Sequence, residues 1–278
     1  MNDNKPPRLI QSRSHPLIKQ LHRQRQDPAA YRKAGQVWLE GEHLALALKS
    51  RGGRAALALL SQSAASQPRL WQLAEAVAED LVLLDDALVG EVSGLDTPAP
   101  ASFIGLLQDW PGAARGAAKP PQAGLDSVVL DRLQDPGNVG TVLRSAAALG
   151  IRQVLALKGS AALWSPKVLR AGMGAHFALE LHENVELATL DHLAADGLVL
   201  VATSSHTREE LHQVQLPRPC AWVLGHEGQG VDAALQQRCR LAVRIPQPGG
   251  EESLNVAAAA AICFYETARQ RLAAAAMP

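Results

Sequence analysis

"IPQPGGEESLNVAAAAAICFYETARQ", residues 245–270, decides the fold of this chain. A short apolar strand, Val243 to Ile245, runs into a Pro/Gly turn and two glutamates, and Ser253-Leu254-Asn255 then opens a helix. Ser253 is the expected N-cap, because a serine hydroxyl accepts a backbone N–H of the first helical turn. Asn255 then falls inside that turn, where capping does not require it. Ala257 to Ala261 form a face almost without side chains, which other backbone can approach at short range. Such a face is expected where something packs or threads closely.

Two segments upstream repeat the pattern of a strand that ends in a glycine-rich turn. In "LDRLQDPGNVGTVLRSAAALG", residues 130–150, a strand ends near Leu133 and Asp135-Pro136-Gly137 makes a turn. Asn138 starts a helix that presents Arg144 nearly two turns in, and Gly140 with the alanines permits close helix–sheet packing. The dinucleotide fingerprint GxGxxG is absent. In "WVLGHEGQGV", residues 222–231, Gly225, Gly228 and Gly230 bracket Glu227 directly after a strand. That density of glycine reads as positive-φ turns or as close approach of a ligand to the backbone. A tight turn carrying a solvated glutamate is the alternative.

Around these segments, short continuous apolar runs alternate with helices: "SVVLDRL", "QVLALKG", "GLVLVATSS", "CAWVLG" and "LAVRIP" as strands, with helices at "SPKVLRAGMGA", "EELHQV" and "VDAALQQRC" among others. Buried runs of this kind describe a parallel sheet covered on both faces, whose ligands bind at the carboxyl ends of the strands. Upstream, "DWPGAARGAAKPPQAG", residues 109–124, reads as an interdomain linker. Residues 1–108 form a small α/β domain: a basic helix from about Pro16 to Lys33, a strand at "QVWLEG", a helix from Gly41 to Lys49, then "AALALLS", "RLWQLAEAVAE", "LVLLD", "DALVGEVSG" and "ASFIGLLQ" in alternation. Residues 125–278 form the second domain.

The chain of 278 residues is 47% hydrophobic and 19% charged, the composition of a folded protein with a real core. Its three cysteines, Cys220, Cys239 and Cys263, are scattered and form no CxxC pair, so neither a zinc site nor a disulfide framework is expected, and a reducing cytoplasm fits. No stretch reaches the ~18 consecutive apolar residues of a membrane span, and no apolar signal region opens the sequence, so no membrane partner is expected. The formal charge of zero hides an asymmetry: residues 1–54 hold eleven Lys/Arg against four Asp/Glu, and the remainder is acidic to the same extent. A basic front end on an acidic remainder suits a polyanion-binding appendage. Arg23 and Arg25 in "HPLIKQLHRQRQ" are candidate RNA contacts, a solvated helix face being the alternative.

In this order and spacing, "DPGNVGTVLRSAAALG", "VLGHEGQGV" and "IPQPGGEESLNVAAAA" resemble the SpoU (TrmH-like) branch of the SPOUT RNA 2′-O-ribose methyltransferases, across residues 126–270. "VWLEGEHLALAL" and "VSGLDTPAP" resemble that family's substrate-binding domain, similar to ribosomal L30e-type RNA-binding proteins. The resemblance implies a C-terminal α/β knot, in which the last segment threads a preceding loop as a trefoil, a rare exception to unknotted topology. It implies S-adenosylmethionine (AdoMet) held by those loops, an RNA substrate with ribosomal RNA favoured over transfer RNA, a homodimer through the knotted domain, and no metal. It assigns Arg144, Asn138, Glu227, Asn255 and Ser253 to catalysis, with Arg144 activating the 2′-OH; an arginine pKa of about 12 or higher favours orienting the hydroxyl over acting as its base. It assigns Leu224, Gly225, Glu227, Gly230, Ile245, Ser253 and Leu254 to the cofactor. Arg144, Lys167 and Arg170 would contact RNA, Lys167 having a solvated helix face as its alternative. Two positions depart from the family's pattern: His226 stands where a small amide or hydroxyl is usual, and Gln247 where methionine is common.

Two other readings compete. A nucleotide-dependent oxidoreductase would need the missing GxGxxG turn and its distal acidic residue. A non-catalytic RNA-binding protein retaining the fold would have no reason to keep Asn138, Arg144, Glu227, Ser253 and Asn255 together.

Overall fold

The computed structural model describes residues 7–94, 97–106, 119–204, 207–250 and 253–276. Most of the expected linker and the pair Glu251-Glu252 lie outside these residues. In chain order the elements are β1 (Arg8–Ile10), α1 (Pro16–Gln26), α2 (Ala30–Ala34), β2 (Gln36–Glu40), α3 (Glu42–Ser50), β3 (Ala55–Ser61), α4 (Gln62–Ala65), α5 (Pro68–Val77), β4 (Ala78–Leu84), α6 (Asp86–Val92) and β5 (Ala101–Leu106). They continue as β6 (Ser127–Leu130), α7 (Pro136–Ala148), β7 (Gln153–Leu157), α8 (Pro166–Gly172), β8 (Glu180–Val185), α9 (Leu187–Ala195), β9 (Val199–Thr203), β10 (Cys220–Leu224), α10 (Ala233–Gln236), β11 (Leu241–Val243) and α11 (Val256–Ala275). The chain divides into two compact units, Met1–Lys119 with Trp164–Ala178, and Pro120–Leu163 with Leu179–Pro278.

The first unit is built on a mixed sheet of order β1-β4-β3-β5-β2. β1 and β3 run parallel to β4, while β5 runs antiparallel to β3 and β2. Ile18 and Leu21 of α1 and Leu88 and Val92 of α6 close on Trp38, Leu59, Val82 and Leu84 to form its core. The basic helix expected from Pro16 to Lys33 is broken into α1 and α2. Pro28 is the cause: it forces Asp27 into an extended conformation (φ −111°, ψ 105°), and the Asp27 carboxylate accepts Ala29 N–H at 2.9 Å to start the next turn. The segment Trp164–Ala178, expected in the second domain, packs with the first unit, α8 against β2 and the 3₁₀ turn Ala175–Ala178 against α3. Gly174 permits this: a Cβ there would lie 2.3 Å from the Cβ of Ala47, and its φ is +84°.

The second unit is an all-parallel six-stranded sheet of order β11-β9-β10-β6-β7-β8. Its strands β6, β7 and β10 are buried at every position, which is why they read as unbroken apolar runs. β8 was not legible as a strand because "ELHENV" is a polar edge strand, paired on one side only. The expected helix at "EELHQV" does not form. Glu210 instead makes an isolated parallel bridge to Arg244, with Arg244 N–H donating to the Glu209 carbonyl at 2.7 Å and Leu211 N–H to the Arg244 carbonyl at 2.9 Å. These bonds take the backbone groups that a helix would have used.

α11 buries Ala257, Ala260, Phe264 and Thr267, one helical face, against α7 and β10. Complete burial of a phenylalanine such as Phe264 contributes roughly 1.5–3 kcal/mol. The buried indole N–H of Trp222 on β10 donates to Thr267 Oγ1 at 2.9 Å, so the indole donor is not stranded in this packing. The alanines let α11 lie close to α7, and that closeness brings the starts of the two helices together at the carboxyl edge of the sheet.

Candidate active site

The site begins at the N-terminus of α7. Asp135 caps it by accepting Asn138 N–H at 2.7 Å, and Pro136 occupies the first helical position. Asn138 is therefore in the first turn, with its backbone donor satisfied and its side chain available. Asn138 Nδ2 donates to Glu227 Oε1 at 3.2 Å, and Asn255 Nδ2 donates to Asn138 Oδ1 at 3.0 Å. Three side chains from three separate strand ends are thus joined in one chain of hydrogen bonds.

Asn255, not Ser253, caps α11. Its backbone is non-helical (φ −52°, ψ 137°), and Oδ1 accepts Ala257 N–H at 2.9 Å and Ala258 N–H at 3.3 Å. Capping by Oδ1 fixes the amide so that Nδ2 faces Asn138, a double task that a serine hydroxyl at position 253 could not perform. Ser253 is released to line the cavity described below.

The loop Gly225–Asp232 is held from several directions. A Cβ on Gly225 would lie 2.3 Å from the carbonyl carbon of Gly230 and from Val231 N, so only glycine fits under the returning loop. His226 and Gly230 exchange backbone hydrogen bonds at 3.0 and 2.8 Å. The ring of His226 accepts at Nδ1 from Gly228 N–H (3.0 Å) and Gln229 N–H (3.3 Å), the task a small amide performs in an Asx-type turn. From the end of β6, buried Asp131 accepts Asp232 N–H at 2.7 Å and holds the Arg132 guanidinium through Nε (2.9 Å) and Nη2 (3.1 Å). Arg132 Nη1 in turn donates to Gln229 Oε1 at 3.1 Å. Arg132 adopts φ +54°, a conformation uncommon for any residue but glycine and maintained by these bonds.

These segments enclose a cavity of about 430 Å³ at the carboxyl ends of β9, β10 and β11. It is lined by Leu224, Gly225, Glu227, Gly230, Ile245, Ser253 and Leu254, the full set expected to hold the cofactor. Sequence reasoning missed Thr203, Arg244 and Ala259 in the same wall. Arg244 forms an ion pair with Glu210, yet its Nε is buried without a partner among the described residues. Gln247 Oε1 on the same wall is also buried and unpartnered. One orphan donor and one orphan acceptor on a single wall suit a polar ligand, since each unmet group costs about 1–3 kcal/mol. An arginine and a glutamine either side of Ile245-Pro246 were the available signal.

Arg144 is placed differently. It lies on the exposed side of α7, six residues and about 9 Å of helix beyond Asn138. It does not line the cavity, and its guanidinium has no partner among the described residues. Lys167 and Arg170 are exposed on α8 in the first unit, beside Trp38 and Glu40. Arg25 is committed to structure through a 3.0 Å bond from Nη1 to the Glu91 carbonyl, whereas Arg23 lines an open groove. Burial pushes the Cys220 thiol up to about 12 and the Cys239 thiol to about 11, and it raises Cys263 as well, so none supplies a thiolate at neutral pH.

The profile of the SpoU rRNA Methylase family matches residues 127–265. An uncharacterised tRNA/rRNA methyltransferase of Synechocystis sp. is 33% identical over 275 residues, 95% of each chain. The 23S rRNA (guanosine-2′-O-)-methyltransferase RlmB of Bordetella pertussis is 39% identical over 145 residues, which span 52% of this chain and 59% of that protein. A solved RNA 2′-O ribose methyltransferase superposes with a TM-score of 0.77 at 31% identity, over 95% of this chain and 99% of the other. The SpoU methyltransferase AviRb of Streptomyces viridochromogenes shares the fold, with a TM-score of 0.81 at 23% identity over 93% of this chain and 98% of the other.

Proposed function

Because the chain belongs to the SpoU rRNA methylase family, we propose that it transfers a methyl group from AdoMet to a ribose 2′-OH of structured RNA, ribosomal RNA before transfer RNA. The observation that carries this reading is the Glu227–Asn138–Asn255 chain of hydrogen bonds at the rim of a cofactor-sized cavity. About 430 Å³ lies within the ~300–1,000 Å³ of small-molecule sites. Gly225 lets the returning loop at Gly230 and Val231 lie against it at the cavity wall, and Arg244 Nε and Gln247 Oε1, unpartnered among the described residues, offer a donor and an acceptor to the polar groups of AdoMet. Bound AdoMet supplies an electrophilic methyl group. The convergence of residues 203–204, 224–231 and 244–256 on one cavity supports the interlocked, trefoil-knotted arrangement of the family.

Asn138 is the pivot of the chemistry. With Nδ2 and Oδ1 both engaged, its amide has a single orientation, and Glu227 keeps its second oxygen available to accept from the ribose. Braced in this way, these side chains would hold a ribose 2′-OH in one orientation, and positioning of a reacting group removes much of the barrier. Arg144 does not act as a base, since a guanidinium pKa is about 12 or higher. It orients the hydroxyl and stabilises the developing charge on O2′, while an RNA phosphate takes up the departing proton.

The assembly is a homodimer through α11. Ala258, Ile262, Tyr265, Arg269 and Leu272 form one exposed stripe, in which Ile262, Tyr265 and Leu272 are 40%, 60% and 72% exposed. An apolar stripe along one helix face is suited to a two-fold partner. Sedimentation of Tyr265→Asp, expected to be monomeric, checks this. The protein acts on RNA in the cytoplasm. Among the described residues no helix is long and apolar enough to cross a membrane. Mass-spectrometric mapping of 2′-O-methyl nucleotides in total RNA, with and without the gene, tests the function and identifies the site. An unchanged map would refute it.

A further inference from the structure

The first unit carries an open groove of about 480 Å³ lined by Pro16, Lys19, Gln20, Arg23, Ala34 and Gln36. Pro16, Lys19, Gln20 and Arg23 follow the i, i+3, i+4, i+7 spacing of one face of α1, so the groove is a property of that face and of the start of β2. Neither Lys19 nor Arg23 makes an ion pair or hydrogen bond among the described residues, although Arg25 on the same helix donates to the Glu91 carbonyl and Arg13 just before it pairs with Glu91. Exposed cations left unpaired along one groove suit a chain of phosphates.

Between the cations the wall is amide. Gln20 Nε2 donates to Gln36 Oε1, and Gln24 Nε2 donates to the Gln36 carbonyl at 3.2 Å. These bonds fix the two groove-lining amides against one another. Among the described residues they leave Gln20 Oε1 without a donor and Gln36 Nε2 without an acceptor, on two amides joined to each other. A neighbouring acceptor and donor is the pattern that complements the edge of an unpaired nucleobase. The major groove of an RNA duplex is too deep and narrow for side chains, so an unpaired base presents its hydrogen-bonding edge here more readily than a paired one. Pro16 and Ala34 add a small apolar surface without obstructing it.

We propose that this groove is an RNA subsite that takes an unpaired nucleotide, with its phosphates on Lys19 and Arg23 and its base edge on the Gln20–Gln36 amide pair. The inference rests on the RNA substrate proposed above and names the form of RNA that the first unit selects: a loop, bulge or single-stranded flank near the modified ribose. Phosphate contacts supply sequence-independent grip, and the amide pair supplies discrimination.

Fluorescence anisotropy of the full chain tests this, using labelled single-stranded RNA octamers of A, C and U, a blunt RNA duplex, and an oligo-glutamate peptide of matching charge. Wild type is expected to bind the octamers more tightly than the duplex or the peptide, and to rank the three octamers. Lys19→Gln/Arg23→Gln should weaken all three octamers alike and flatten the salt dependence by about 1.4 in log–log slope, about 0.7 for each phosphate lost. Gln20→Ala/Gln36→Ala should leave the salt slope unchanged and remove the ranking, a loss of roughly 5- to 150-fold for the preferred base. Circular dichroism confirms that each variant is folded. Calorimetry with AdoMet separates the two proposals: normal AdoMet binding with unchanged octamer affinity in the cation variant overturns the groove alone, whereas a wild type that binds neither AdoMet nor RNA overturns the function with it. Equal binding of duplex or peptide also overturns the groove.

Discussion

The strand-end site of the second unit and the groove of the first display polar side chains in opposite ways. In the site, Glu227, Asn138 and Asn255 satisfy one another, His226 is committed to its own loop, and Asp131 with Arg132 holds that loop from beneath. In the groove, Lys19 and Arg23 stand unpaired among the described residues, beside a fixed amide pair. Methyl transfer needs a reacting oxygen fixed to a fraction of an ångström, so its residues are braced in advance. Gripping a flexible polyanion needs charge more than geometry, so its residues are left free. Arg144 is the informative exception: it is assigned to the chemistry, yet it is as unbraced as the groove cations. On the proposed reading it acquires its geometry from the RNA.

Arg144 should therefore give the largest effect. Arg144→Ala is expected to lower kcat by roughly 10²–10³, the scale of losing one oxyanion partner, with AdoMet affinity nearly unchanged. Arg144→Lys should be almost as damaging, because a point charge cannot replace a planar fork of donors. Single-turnover methyl transfer at saturating AdoMet reads both. A folded Arg144→Ala protein that keeps more than about a third of the wild-type rate would place Arg144 among the mere phosphate-binding cations.

The braced side can be broken by one methyl group. Gly225→Ala places a Cβ 2.3 Å from two backbone atoms, more severe than ordinary overpacking at about 1–3 kcal/mol. AdoMet binding should be lost, and calorimetry with a thermal melt will show whether the loop or the whole unit yields. Undiminished binding would mean that the loop is softer than described.

Asn255→Asp separates the two tasks of Asn255. The aspartate keeps the cap, since Asn and Asp are equal N-caps, but cannot donate to Asn138 Oδ1. Stability should hold while kcat falls by about tenfold, the value of one hydrogen bond of about 1–1.5 kcal/mol. Asn255→Ala should lose a further ~0.5–2 kcal/mol of stability. If the two variants behave alike, the link to Asn138 has no catalytic consequence.

How much of this was legible follows from where the bonds run. The lining of the cavity could be read because each segment sits at a strand end, and strand ends of a parallel sheet converge. The cap of α11 could not be read, since serine and asparagine cap equally well and only the position of Asn138 decides between them. The break in the basic helix was written in Pro28. By contrast, the support from Asp131 and Arg132 depends on a positive φ at an ordinary residue, which no local pattern announces. The role of His226 was hidden because a ring nitrogen does the work of a smaller amide.

That last substitution gives the smallest expected effect. His226→Asn should bind AdoMet within about twofold of wild type, whereas His226→Leu loses two acceptor bonds, each contributing ~0.5–1.5 kcal/mol, and should weaken binding by about fivefold or more. Equal affinities for the two variants would remove His226 from the bracing.

The central claim is that the braced site methylates a ribose oxygen, and the product tests it most directly. Purified protein is incubated with ribosomal RNA and AdoMet labelled in its methyl group, and the RNA is digested to nucleosides and resolved by mass spectrometry. The account predicts label in a 2′-O-methyl nucleoside, and none from the folded Arg144→Ala protein over the same short interval. Label in a methylated base, or unlabelled RNA from a protein that binds AdoMet, would contradict it.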